Sequence, residues 1–105
     1  SLDIEKVVCQ PRIFSPGGSG SVFEFTQTNI LYDLDEAEDV TARIFNISGR
    51  LIRTIKPDIA NQAGHQVMNW DGKDRNGDVV PSGLYIVTLE KGDTVLRTTV
   101  GVLNR

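Results

Sequence analysis

Residues 69–85 read Asn-Trp-Asp-Gly-Lys-Asp-Arg-Asn-Gly-Asp-Val-Val-Pro-Ser-Gly-Leu-Tyr, and no other stretch constrains the fold as strongly. Between Trp70, the only tryptophan, and Tyr85 lie three glycines, one proline and three aspartates. Glycine supplies positive φ, proline fixes φ, and aspartate bonds to its own backbone. The chain must therefore turn here, and a helix is discouraged. Hydropathy alternates on both flanks, so the turn joins two strands and carries a large aromatic anchor on each side.

The rest of the chain follows the same period. Ile4 to Cys9 reads as an early strand that Pro11 ends or places on an edge, with Ile13-Phe14 as its continuation. Val22 to Leu34 reads as one strand, with a bulge near Gln27 reconciling Phe23 and Phe25 with Ile30, Tyr32 and Leu34. Asp39 to Asn46 alternates most clearly. Val40, Ala42 and Ile44 face one way, and Thr41, Arg43 and Phe45 the other. A turn at Ser48-Gly49 leads to Leu51–Ile55, where Leu51 and Arg53 oppose Ile52. Gln66 to Trp70, Leu84 to Glu90 and Thr94 to Leu103 complete the set, the last two joined by a tight turn at Lys91-Gly-Asp93.

That makes seven runs of strand length, and no segment of ten residues holds helical spacing. The pattern predicts an all-β fold, an antiparallel immunoglobulin-like or fibronectin III-like β-sandwich of about seven strands. Trp70, Met68, Ile44, Tyr85 and Val87 are expected to share its core. At 105 residues the chain makes one domain, long enough to bury a core without staples. It opens on Ser1 with no signal peptide, so we expect a piece of a longer protein, with residues 1–3 as linker.

Composition excludes several classes. A net charge of −3 leaves no electrostatic footprint for nucleic acid. No run approaches the ~18 apolar residues of a membrane span, so membrane insertion is not expected. The acidic run Asp33–Asp39 reads as a solvated connection. With Cys9 alone there is no intrachain disulfide, and Cys9 beside Val7 and Val8 reads as a small buried hydrophobe.

The candidate chemistry is thin. Asp71, Asp74, Asn76 and Asp78 resemble part of an EF-hand calcium loop. Placing Gly77 at the sixth position, however, puts Gly72 first and Gly83 twelfth, where oxygen ligands are required. These four remain weak candidates for an irregular metal site. The competing reading has the carboxylates capping the turn while Gly72, Gly77 and Gly83 take positive φ. Ser15-Pro-Gly-Gly-Ser-Gly20 lacks the GK[ST] and the following helix of a phosphate loop. His65 is the only histidine and stands in a polar stretch, so neither zinc nor a catalytic base is expected. No catalytic residue and no cofactor is assigned. Trp70, Tyr32 and Tyr85 offer an aromatic platform for sugar as a second reading, a carbohydrate-binding module. The alternation of Trp70 with Met68 favours the core instead.

These residues carry a resemblance. Asp39 to Ile55, with its Ser48-Gly-Arg50 turn, followed by Ala63-Gly64, Trp70-Asp-Gly72, Asp74, Gly77 and Val80-Pro-Ser-Gly-Leu-Tyr85, is similar to the FlgD-type immunoglobulin-like domain. That module was first described in the flagellar hook-capping protein and recurs near the C-termini of bacterial secreted and surface proteins. The match runs over about residues 13 to 103. The signature positions are Trp70, Asp71, Gly72, Gly77, Pro81, Gly83 and Tyr85. Where the family often has Ser-Pro-Asn-Gly-Asp-Gly, this chain has Ser15 to Gly20 without those polar residues, which argues against metal there. C-terminal sorting domains of type IX secretion are a related, second-ranked identity.

The resemblance implies a non-catalytic module of a larger secreted or envelope protein, acting as spacer, packing partner or anchoring element. Its location would be extracellular, cell-surface or periplasmic. Its partners would be neighbouring domains of the parent or the secretion and envelope machinery. The outward positions of the Asp39–Ile55 hairpin, Thr41, Arg43, Phe45, Arg50 and Arg53, form the expected interaction surface.

Overall fold

A computed structural model describes residues 7–16, 26–57 and 62–103. Two sheets pack face to face. The smaller is antiparallel, with β1 (Val7–Gln10), β3 (Thr28–Leu34) and β6 (Gly64–Trp70) in the order β1-β3-β6. The larger holds β2 (Ile13–Phe14), β8 (Thr94–Val102), β7 (Gly83–Lys91), β4 (Val40–Asn46) and β5 (Leu51–Ile55), in the order β2-β8-β7-β4-β5. The fold is the all-β sandwich expected from the hydropathy pattern, and no described residue is helical.

Alternation decides which side chains meet between the sheets. Thr28, Ile30, Tyr32 and Leu34 are buried along β3, and Met68 and Trp70 along β6. The facing sheet contributes Val40, Ala42 and Ile44 from β4, Tyr85, Val87 and Leu89 from β7, and Val100 and Val102 from β8. The five residues expected to share one core do so. Lys91 is buried at the end of β7, and its amine donates to the Asp33 carbonyl of the other sheet at 3.1 Å.

Three local expectations are corrected. Ile13-Phe14 does not continue β1. The chain changes sheets at Pro11, across a cis Gln10–Pro11 bond, and β2 pairs in parallel with Gly101 and Val102 of β8. Phe14 thereby enters the core while Ile13 stays exposed. Among the described residues the strands number eight, with one parallel pair. Second, Val22 to Leu34 is not one described strand. Residues 22–25 lie outside the described residues, Thr26 and Gln27 form a bend, and β3 starts at Thr28. Third, the bulge lies between β4 and β5. Ile44 pairs with Arg53 and Phe45 with Leu51, leaving Ile52 as the extra residue. Ile52 packs against the core, so Ile52 and Arg53 share the inner side and do not oppose one another.

Candidate interaction surface

The 71–82 loop is held by the polar tips of its two aromatic anchors. Trp70 is 0% exposed, and its ring meets Phe14 at 5.4 Å and Tyr85 at 5.6 Å, both edge to face. Its indole N–H donates to the Lys73 carbonyl at 3.0 Å, at the start of the loop. The Tyr85 hydroxyl donates to the Pro81 carbonyl at 2.7 Å, at its end. Between these points the loop folds on itself. Val80 N–H bonds Gly72 C=O, Asp74 N–H bonds Asp78 C=O, and Lys73 bridges Val79. Val80 is buried beneath it.

The acidic side chains serve this loop. Asp74 Oδ1 accepts from the N–H groups of Asn76 and Asp78, and Asp71 Oδ1 accepts from Lys73 N–H and from the Arg53 guanidinium at 2.8 Å. Asp71 and Asp74 thus act as turn caps, while Asn76 and Asp78 enter the turn through their backbone groups. No three acidic, histidine or cysteine side chains converge on one point among the described residues. Gly72, Gly77 and Gly83 all have positive φ. At Gly72 space is also limiting, because a Cβ would lie 2.5 Å from Pro16 Cβ.

The loop is also fastened to β5. Besides Asp71, Arg53 reaches the Lys73 carbonyl, and Arg75 N–H donates to Ile52 C=O at 3.1 Å. Arg53 therefore leaves the surface on which the sequence had grouped it. Thr41, Arg43 and Phe45 stay together on the outer side of β4, half-buried. Arg43 pairs with Glu90 of β7, and Arg50 stands exposed in the β4–β5 turn.

Sequence reasoning missed the neighbours of Phe45. The register sets Phe45 beside Leu51 of β5 and Ile86 of β7, an apolar row across three strands. A second row, Val8–Leu31–Val67, crosses the outer face of the smaller sheet, and Val67 is 54% exposed. The signal was present, since β4 and β7 carry apolar residues at both phases of their alternation. Pairing across strands was needed to join them.

The remaining candidates fall away from any reactive arrangement. Cys9 is a free, buried thiol, which burial pushes from 9.0 up to about 11. His65 is exposed and pairs with Asp33. Trp70, Tyr32 and Tyr85 are all buried, so these three rings form no exposed sugar platform.

Residues 20–101 match the family model of the FlgD Ig-like domain. Over 62 residues the chain is 39% identical to the basal-body rod modification protein FlgD of Salmonella typhimurium, covering 57% of this chain and 26% of that protein. The chain thus spans about a quarter of the length of this curated relative. The FlgD structure from P. aeruginosa superposes with a TM-score of 0.62 at 21% identity, covering 71% of this chain and 61% of that one. PorZ, a surface component of the type IX secretion system of Porphyromonas gingivalis, superposes at 0.59 with 16% identity, over 92% of this chain and 11% of that one. The two structural likenesses establish the fold. The family match takes in the β4–β5 turn, the Trp70 loop and the strands that carry them, and the chain belongs to the FlgD Ig-like domain family.

Proposed function

We propose that this domain is a non-catalytic accessory module of a larger exported bacterial protein, and that it docks a neighbouring domain or an envelope component through the outer face of the five-stranded sheet. One observation carries the reading. The Leu51–Phe45–Ile86 row presents apolar side chains outward, with Thr41 and the Arg43–Glu90 pair on the same sheet. An apolar strip rimmed by polar groups suits an intramolecular or transient interface. The Asp71 and Asp74 carboxylates of the conspicuous loop are meanwhile engaged in holding the loop.

The relatives support the setting. FlgD is by name a basal-body rod modification protein, and PorZ is a bacterial surface component. That kinship supports an extracellular, surface or periplasmic location. The test uses the full-length parent. Phe45→Ser and Arg43→Glu should reduce its delivery or surface retention while the isolated domain keeps its melting temperature to within a few degrees. Normal delivery and retention by both variants would refute docking at this face.

A further inference from the structure

The two signature turns, 25 residues apart in sequence, close on one cleft of about 280 Å³ at the end of the sandwich. Its lining includes Leu51 and Ile52 together with Arg50 and Arg75. Neither guanidinium has an ion-pair partner among the described residues, whereas the nearby Arg43 and Arg53 each do. Arg75 uses only its backbone N–H, to Ile52, and Arg50 only its backbone groups, to Asn46. Asn46 turns its Oδ1 onto the N–H groups of Ser48 and Arg50, which leaves its Nδ2 donors unpartnered among the described residues. Asp74 also lines the cleft, but its Oδ1 accepts from two backbone N–H groups of its own turn. The lining therefore carries two cations to one carboxylate.

We propose that this cleft binds a glutamate side chain on an acidic segment of a partner polypeptide. The guanidiniums and the Asn46 amide supply donors for the carboxylate. Leu51 and Ile52, both half-buried, supply apolar contact for its methylene stem. The chain has 14 carboxylates to 11 lysines and arginines, and these two arginines have no ion-pair partner among the described residues. The chain's own acidic connection, residues 35–39, adjoins the opposite end of β4, roughly 20 Å away along seven strand residues, and cannot reach the cleft within one molecule. A second copy would have to stack end to end. The inference rests on the accessory-module reading only for the source of the segment. The cleft shares Leu51 with the Phe45 row, but Arg50 and Arg75 lie outside that row, so Phe45→Ser and the arginine variants test the two readings separately.

The test is a titration of the isolated domain, followed by the Nε–Hε signals of its arginines in NMR spectra at low salt. The probe is acetyl-Ala-Glu-Ala-amide, with the glutamine peptide and sodium acetate as controls. The Arg50 and Arg75 signals should shift and saturate in the millimolar range with the glutamate peptide. The glutamine peptide should bind at least about tenfold more weakly and acetate severalfold more weakly. Arg50→Ala and Arg75→Ala should each weaken binding about threefold or more, and the double variant should abolish it, with melting temperatures showing each variant folded. Equal shifts from the glutamine peptide, or shifts that survive in the folded double variant, would overturn the proposal. Acetate binding as tightly as the peptide would reduce the cleft to a simple anion site. Arginine shifts that grow with protein concentration alone would assign the cleft to a second copy of this chain. Either result contradicts a partner's glutamate.

Discussion

At the scale of single residues, the glycines of the Trp70 loop differ in what they protect. Gly72 and Gly77 both take positive φ, but Gly77 has open space around its missing Cβ while Gly72 is packed against Pro16 and Phe14. Gly77→Ala should cost about 1 kcal/mol, the left-handed penalty alone. Gly72→Ala should cost about 2–4 kcal/mol, because overpacking adds to that penalty. Urea denaturation of the two variants checks the order, and equal costs would remove the close packing from the explanation. Cys9 gives a second residue-scale test. A thiol held at about 11 in the fold keeps its proton longer than in the unfolded chain. Its contribution is present below pH 9, the unfolded value, and is lost as pH rises towards 11. Burial raises Tyr32 and Tyr85 in the same direction. Stability should therefore fall between about pH 8 and about pH 10.5, and Cys9→Ala should lessen that fall by up to about 2 kcal/mol. An identical pH slope in the variant would contradict the burial of this thiol.

At the scale of elements, the loop and β5 act on each other. The bulge at Ile52 turns Arg53 inward, Arg53 takes Asp71, and the Arg75 N–H caps the Ile52 carbonyl. The Arg53–Asp71 pair is part exposed, so a double-mutant cycle with alanine at each position should give a coupling of about 0.5–1 kcal/mol. No coupling at low salt would mean that the pair follows the loop and does not hold it. This element also shows what period 2 could not reveal. The alternation of β4 assigned Val40, Ala42 and Ile44 to the core correctly, because one face of that strand is buried throughout. The same rule misplaced Arg53, because a single inserted residue reverses every assignment beyond it. The sheet change at Pro11 was hidden for a similar reason. Ile13 and Phe14 read as two apolar residues, and nothing local says which sheet receives them.

At the scale of the whole molecule, the sandwich and its core were legible because seven alternating runs and a turn-forming stretch leave few other folds for 105 residues. The surface was less legible. Outward rows such as Leu51–Phe45–Ile86 exist only once strands are paired, and the cleft between the two turns exists only once the sandwich brings its ends together. The loop that looked most like a site is anchored to the core through Val80 and the two aromatic rings that flank it. The carbonyls of Lys73 and Pro81, near its two ends, are tied to the rings of Trp70 and Tyr85, which are packed between the sheets. Native-state hydrogen exchange of the Trp70 indole N–H tests this most directly. If the loop closes the core, that proton exchanges only through global unfolding, with an opening free energy equal to the stability from denaturation. Exchange through a local opening several kcal/mol easier than global unfolding would show that the loop lifts off freely and that the core is complete without it.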